Sequence, residues 1–246
     1  LVHKDDQERI FLDIQEAICQ RRPYRVIYRI RHRDGSERWM WEQGQAVFKE
    51  SGEVLCLEGF ITDVTDQQEA QRVQQAVVQV ASTVTSRVGD DYFQQLIATL
   101  TTLLEADAGF IALLDQPVPP PQGASPHPNN VLPATTGHTV SLVVAGQPRK
   151  NHTFLLRDTP VERVVLEQES VVHHGQRFTL PGATLSAQAW IGRRLDNAKG
   201  EAIGAMMVFY QAPLTTNAFA TSVLQILSTG AAAELERRRD HRHMHQ

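Results

Sequence analysis

Cysteine is scarce in this sequence, which has only Cys19 and Cys56 among 246 residues. Two cysteines cannot build a disulfide framework, and they supply too few thiolates for a cysteine-rich metal site. No apolar run approaches the ~20 residues that span a bilayer, and no basic start followed by an apolar stretch marks a signal peptide. We therefore expect a cytoplasmic protein with no membrane partner. Because the chain begins at Leu1 rather than Met, we expect it to be a piece of a longer protein.

The sequence also lacks the signatures of common enzymes and nucleic-acid-binding proteins. It has no GxGxxG fingerprint, no Gly-x-Ser-x-Gly elbow and no serine, histidine and acidic residues in a catalytic pattern. The net charge of −4 is mildly acidic, whereas nucleic-acid-binding proteins usually carry an excess of Lys and Arg. We predict that this chain is not an enzyme and does not bind nucleic acid.

The N-terminal quarter of the sequence predicts a helix followed by a small antiparallel sheet. Apolar residues at helical spacing predict a helix within residues 1–22. Residues 24–65 then change to strand-like alternation, with turns at Asp34-Gly35 and Ser51-Gly52. Two turns between three apolar runs predict a meander of three consecutive strands.

Glycine and proline are absent from residues 66–88. Apolar residues there recur at alternating steps of three and four, namely Ala70, Val73, Val77, Val80 and Val84. This spacing is typical of a coiled-coil seam and predicts a linker helix. The pattern leaves open an alternative, a helix that packs on its own domain.

Residues 89–239 predict a second unit of helices and strands. An amphipathic helix comes first, and a long helix at 217–239 closes the unit, with apolar strands and a short helix between them. Residues 117–133 hold seven of the 12 prolines and predict a long loop. The whole chain is therefore predicted to be α+β, with antiparallel sheets flanked by helices.

Several motifs in the first 65 residues resemble the second half of a PAS sensor domain. They are the strand that contains Tyr24 and Tyr28, the Asp34-Gly35-Ser36 turn followed by Trp39, and the ending Asp63-Val64-Thr65. The resemblance implies a partial PAS domain over residues 1–65, because the first two strands and the short helices of the family are absent from this sequence. Residues 66–88 would then be a signalling linker helix.

Residues 89–239 resemble a GAF domain. The resemblance lies in the pair of apolar strands around Trp190-Ile191-Gly192 and Ile203-Gly204, and in the closing helix that ends near Arg237. A Thr-Pro-Cys segment of many GAF domains has its counterpart at Thr159-Pro160, with Val161 in place of the cysteine. The resemblance implies an antiparallel sheet flanked by helices.

A PAS domain, a helix and a GAF domain in this order resemble the input region of bacterial sensor histidine kinases and cyclic-di-GMP signalling proteins. The resemblance implies a module that binds a small ligand or relays a conformational change, with an unknown cofactor. Residues 240–246 would lead to an output domain, a kinase or cyclase, that this sequence does not contain. The alternative is a ligand-free scaffold. In either case a homodimer through helices 66–88 and 217–239 is expected.

Two sets of residues are candidates for these roles. A ligand pocket is expected under the loops that cover the second sheet. Its candidate lining residues are Phe110, Ala112, Leu142, Val144, Trp190 and Met206. The alternative is that these apolar side chains belong to the hydrophobic core and line no pocket. The relay is expected at Asp63, Thr65 and Asp66, where the Asp-x-Thr ending would anchor the linker helix to the sheet. Asp66 is expected to be the N-cap of that helix.

The remaining histidines and cysteines are expected to have no chemical role. Adjacent residues of a strand point to opposite faces, so His173 and His174 do not predict a metal site. Cys19 and Cys56 lie in apolar patterns and are predicted to be buried and unreactive.

Overall fold

A computed structural model describes residues 2–119, 135–166, 171–179, 185–214 and 218–243, with the backbone alone for 171–179 and 241–243. The chain divides into two compact units, Leu1–Arg72 and Val73–Gln246. Within the described residues, none of the helices combines the length and apolar character needed to cross a membrane. Most of the predicted proline-rich loop, from residue 120 on, lies outside the described residues.

The first unit is a helix packed on a three-stranded antiparallel sheet. Its elements are α1 (Lys4–Cys19), β1 (Tyr24–Arg31), β2 (Glu37–Phe48) and β3 (Val54–Asp63), with the strands in the order β1-β2-β3. Alternate side chains of β1 point to one face, where Tyr24, Val26 and Tyr28 are buried against Ile10 and Ala17 of α1. The predicted helix and the three-stranded meander are confirmed.

The linker helix, α2 (Thr65–Val84), begins in the first unit and continues into the second. It ends four residues before the predicted boundary, and Val88 is exposed. Ala76, Val80 and Val84 are buried in the core of the second unit. Over its second half, therefore, the seam packs on a domain of the same chain, which is the alternative that the pattern left open.

The second unit is a seven-stranded antiparallel sheet between two layers of helix. Its elements are α3 (Asp90–Leu103), β4 (Ala108–Val118), β5 (Thr136–Val144), β6 (Gln147–Arg149), β7 (Thr153–Leu155), α4 (Pro160–Leu166), β8 (Val171–Thr179), β9 (Ser186–Asp196), β10 (Ala202–Tyr210) and α5 (Ala218–His243). The strand order is β6-β5-β4-β10-β9-β8, and β7 pairs with β5. The predicted α+β fold is confirmed.

Each face of this sheet carries its own apolar core. On one face, side chains such as Met206 and Val208 of β10 pack with α2, α3 and α5. On the other, Met207 and Phe209 pack with α4. Successive side chains of β10 point to opposite faces of the sheet and therefore belong alternately to the two cores.

Candidate ligand cavity and helix anchor

The core on the α4 side of the sheet contains a small cavity. Its walls are three phenylalanine rings, the start of α4 and one histidine: Phe110, His152, Phe154, Thr159, Pro160, Val161 and Phe209. The ring centroids of Phe110 and Phe209 are 5.4 Å apart, and those of Phe110 and Phe154 are 6.1 Å apart. The space open to the centre of a water molecule is about 10 Å³, which is room for about one water.

His152 is the ionisable residue in the cavity wall. Its Nδ1 atom is buried and has no hydrogen-bond partner among the described residues. Desolvation lowers the pKa of His152, with a smaller opposing effect from a hydrogen bond to the backbone of Lys150. Burial therefore favours the neutral form of the imidazole.

The backbone of His152 is held in place by the buried Thr139 of β5. The Thr139 hydroxyl accepts a hydrogen bond from the His152 N–H at 3.0 Å and donates one to Asn151 Oδ1 at 3.1 Å. The Thr139 N–H in turn donates to the His152 carbonyl at 3.0 Å. These bonds fix the strand-like path of the chain beside the cavity.

Helix α4 is held over the same core by Arg194, which is 4% exposed. The Arg194 guanidinium donates to the carbonyl of Val165, in the last turn of α4, and to the carbonyl of Gly200, both at 2.9 Å. Its Nε donates to Asp196 at 2.5 Å. The guanidinium thus satisfies a carbonyl at the helix end, which has no partner within the helix.

Five of the six predicted pocket residues belong to the core on this face: Phe110, Ala112, Leu142, Val144 and Trp190. Of these, Phe110 lines the cavity. Met206 faces the opposite core, under α3 and α5, so the expectation that it shares the pocket is corrected. His152, Phe154 and Phe209 line the cavity but were not among the predicted pocket residues. Thr159, Pro160 and Val161, which the sequence marked as the counterpart of a Thr-Pro-Cys segment, also line the cavity.

The predicted relay residues lie where β3 passes into α2. The Asp63 carboxylate accepts hydrogen bonds from the Thr65 N–H at 2.9 Å and from the Thr65 hydroxyl at 2.6 Å. The Thr65 hydroxyl accepts a bond from the Trp39 N–H of β2 at 2.9 Å. Hydrogen bonds from Thr65, and then from Arg38, lower the pKa of Asp63 to about 2. The start of α2 is thereby tied to the sheet.

Asp66 does not cap α2, which corrects the predicted N-cap. The helix already begins at Thr65, so Asp66 lies in its first turn and is exposed. The cap is supplied by the two residues just before the helix, where the Val64 carbonyl accepts from the Gln68 N–H and Asp63 accepts from the Thr65 N–H.

Both cysteines are exposed, which corrects the prediction that they are buried. In the described part of the chain, no group of three or more His, Cys, Asp or Glu residues is arranged to hold a metal ion. The side chains of His173 and His174 lie outside the described residues.

Comparison with known families gives a match within the first unit. Residues 1–61 match the model of the PAS fold family. The resemblance predicted from the turn and strand motifs is confirmed. No curated protein is significantly similar to the chain.

Solved structures similar to the chain include both PAS and GAF proteins. A sensory box histidine kinase/response regulator from Burkholderia thailandensis is 34% identical, with 32% of this chain and 62% of that chain covered and a TM-score of 0.29. The PAS domain of a GGDEF family protein from Chromobacterium violaceum is 34% identical, with 26% and 59% covered and a TM-score of 0.18. This chain therefore spans less than two thirds of either structure.

A GAF domain is among the solved structures that align with a larger part of the chain. The GAF domain of a phosphoenolpyruvate-protein phosphotransferase from Coxiella burnetii is 11% identical, with 70% of this chain and 96% of that chain covered and a TM-score of 0.49. Structures similar to the chain therefore include both PAS and GAF domains.

Proposed function

We propose that the chain is the cytoplasmic input region of a bacterial signal-transduction protein of the histidine kinase or cyclic-di-GMP type. It relays a conformational change through its helices, and catalysis belongs to an output domain joined after α5. The match of residues 1–61 to the PAS fold supports a sensory role for the first unit.

The shared core of α2 and α5 carries the proposal. Val80 and Val84 of α2 are buried in the same apolar cluster as Val223 and Leu235 of α5. Helix α2 also begins in the first unit and continues unbroken into the second. A close-packed core has discrete arrangements, so rotation or translation of α2 would disturb the core that it shares with α5.

Insertions into α2 test the relay. One to seven alanines are inserted after Arg72 in a fusion of the chain to the catalytic core of a histidine kinase, and autophosphorylation is measured. Each residue turns the helix by about 100°. We expect two alanines to change the activity and seven to restore it, because seven residues complete almost two turns. Equal activity at every length contradicts the relay. The same insertions after Gly35, in the exposed turn between β1 and β2, are the control.

A ligand sensor is a second candidate, favoured by the buried Nδ1 of His152 in an aromatic wall. The cavity holds about one water as it stands, so a ligand larger than that would enter only with movement of Phe154 or α4. Native mass spectrometry of the purified chain tests this function. A co-purifying small molecule that is lost in His152→Ala supports it, and a ligand-free spectrum contradicts it.

We also propose that the chain forms a homodimer through α2 and α5. Val78 of α2 and Ile226 of α5 are 61% and 50% exposed, so each helix has an apolar side chain available to a second copy of the chain. Crosslinking and native mass spectrometry at micromolar concentration test the dimer. A dimer that dissociates in Val78→Glu supports it, and a monomeric wild-type chain contradicts it.

A further inference from the structure

Helices α2 and α3 are joined by residues 85–89, and the last of these has an unusual backbone conformation. Gly89 has φ +63° and ψ −134°, close to a region that only glycine populates readily. No atom lies within 4 Å of the position that a Cβ would take. The backbone, rather than the available space, therefore requires glycine at the junction.

The Gly89 N–H donates a hydrogen bond to Glu234 of α5, at 2.5 Å from Oε1. The Glu234 side chain is 14% exposed, and Arg237 donates to it from Nε at 2.9 Å. Gly89 is the N-cap of α3 and brings no capping side chain to the free N–H groups of the first turn. A carboxylate from another helix supplies the negative charge that a helix N-terminus favours.

A second polar contact lies one turn further along α5. Arg238 pairs with Asp90, the first residue of α3. Residues four apart share one face of a helix, so Glu234 and Arg238 both face the start of α3. Leu235, beside them, is fully buried in the cluster that also contains Val84. The turn of α5 that contains Glu234, Leu235 and Arg238 thus makes polar contacts with the start of α3 and shares an apolar core with the end of α2.

We infer that Glu234 is a positioning residue that couples the junction at residues 85–89 to the last turns of α5. A displacement of α5 by one residue moves its side chains by about 1.5 Å along the axis, which is enough to break a directional hydrogen bond. The Gly89 N–H therefore reaches the carboxylate in one register of α5. This inference rests on the proposed relay. It adds the contact through which a change at the end of α2 would reach α5.

Amide hydrogen exchange on the whole chain tests the coupling, with Gly89→Ala, Glu234→Ala and the double variant. A tenfold change in exchange corresponds to about the energy of one hydrogen bond to a charged group. We expect each single variant to speed exchange at the amides of residues 231–239 by roughly tenfold. The double variant is expected to add nothing, because Gly89→Ala displaces the N–H by changing the backbone at residue 89 and Glu234→Ala removes its acceptor, so both break the same bond. Independent, multiplying effects would overturn the coupling, as would a Gly89→Ala variant whose α5 exchanges like the wild type.

Two further variants keep the test decisive. Glu236→Ala removes a carboxylate from the same helix that makes no bond to the junction. It should leave the Gly89 amide as protected as in the wild type, and an effect equal to that of Glu234→Ala would overturn the assignment. If the alanine variants fail to fold, Glu234→Gln keeps the shape and an oxygen acceptor but removes the charge, and it should speed exchange at residues 231–239 by a smaller factor than the tenfold expected for alanine. The alanine insertions in α2 separate this inference from the proposed relay. If kinase activity depends on the number of inserted alanines but the exchange experiment shows no coupling, only the role of Glu234 is overturned. If the exchange experiment shows the coupling but kinase activity is the same at every insertion length, only the relay is overturned.

Discussion

Arg29 donates three hydrogen bonds to the carboxylate of Asp6, from its backbone N–H at 2.9 Å, from Nε at 2.9 Å and from Nη2 at 3.0 Å. Asp6 lies in the first turn of α1 and is 7% exposed, while Arg29 lies on β1. The pair therefore joins the helix of the first unit to its sheet. The hydrogen bonds and charge of Arg29 lower the pKa of Asp6 to about 2 despite the opposing effect of burial.

Replacing Asp6 by Asn should destabilise the first unit by about 2 kcal/mol, because the half-buried guanidinium of Arg29 loses its charged partner. Urea unfolding followed by the fluorescence of Trp39 and Trp41, in a Trp190→Phe background, measures the change. Asp13→Asn on the same helix is the control, since Asp13 is exposed and meets Arg9 at 3.6 Å. Equal losses in the two variants would show that the three bonds add nothing specific.

The same pair predicts a dependence of stability on pH. The pKa of Asp6 is about 2 in the folded chain and 3.8 ordinarily, so folding favours the ionised form. The contribution, about 1 to 2 kcal/mol, is complete above about pH 5 and is lost as the pH falls through 4 towards 2. Wild type and Asp6→Asn should therefore converge in stability at low pH. A constant difference between pH 2 and pH 7 would contradict this origin.

The bond from the Trp39 N–H to the Thr65 hydroxyl ties β2 to the start of α2. Thr65→Val removes that acceptor and should speed exchange of the Trp39 amide roughly fivefold, the effect of about 1 kcal/mol. The pKa of Asp63 should rise from about 2, because the Thr65 hydroxyl is the largest cause of its lowering. Carboxyl NMR titration measures it. Thr65→Ser retains the hydroxyl and should leave both values unchanged, and a matching change there would assign the effect to packing.

Local patterns predicted most of the elements, because periodicity and turn residues are properties of neighbouring residues. The strands β6 and β7 were missed because three residues are too few to show a period. Cys56 was predicted to be buried because β3 is an apolar run. Strand β3 is the edge of the three-stranded sheet, and every residue along it is exposed in the described chain. The meander could be predicted from its turns, but whether a face of β3 is covered depends on distant parts of the chain, so its exposure was not predictable.

The predicted pocket residues also show which properties a sequence reveals and which depend on distant parts of the chain. Phe110 pairs with Met207, and Met206 pairs with Ile111, with an irregularity in β10 between Ala202 and Gly204. A change of one residue in register exchanges the two faces of a strand. The apolar character of Met206 was therefore readable from the sequence, but the face that it occupies was not. His152 depends in the same way on Thr139, a buried side chain from another strand.

Arg194 predicts a local effect on α4. Arg194→Lys keeps the charge but cannot reach the carbonyls of Val165 and Gly200 together, because an ammonium lacks the guanidinium fork. We expect a loss of about 2 to 3 kcal/mol and faster amide exchange in α4, measured by urea unfolding and NMR. Arg157→Lys, at an exposed position, is the control and should change neither. Unaltered exchange in α4 would contradict the role of Arg194 in holding the helix.

The close approach of α4 to β9 depends on Gly192. A Cβ there would meet the Val164 side chain of α4 and lie 2.5 Å from the sulfur of Met207. Gly192→Ala should therefore destabilise the second unit by about 1 to 3 kcal/mol, since a packed core tolerates added volume poorly. Urea unfolding followed by Trp190 fluorescence, in a Trp39→Phe, Trp41→Phe background, measures it.

Gly230→Ala is the matched control for this clash. Gly230 lies within α5, and the nearest atom to its Cβ position is the flexible Tyr92 hydroxyl at 3.2 Å. Alanine is a better helix former than glycine by up to about 1 kcal/mol. Gly230→Ala should therefore leave the stability unchanged or raise it, while Gly192→Ala lowers it. If both variants lose the same stability, steric contact with α4 is not the reason for glycine at 192, because only that position meets the helix.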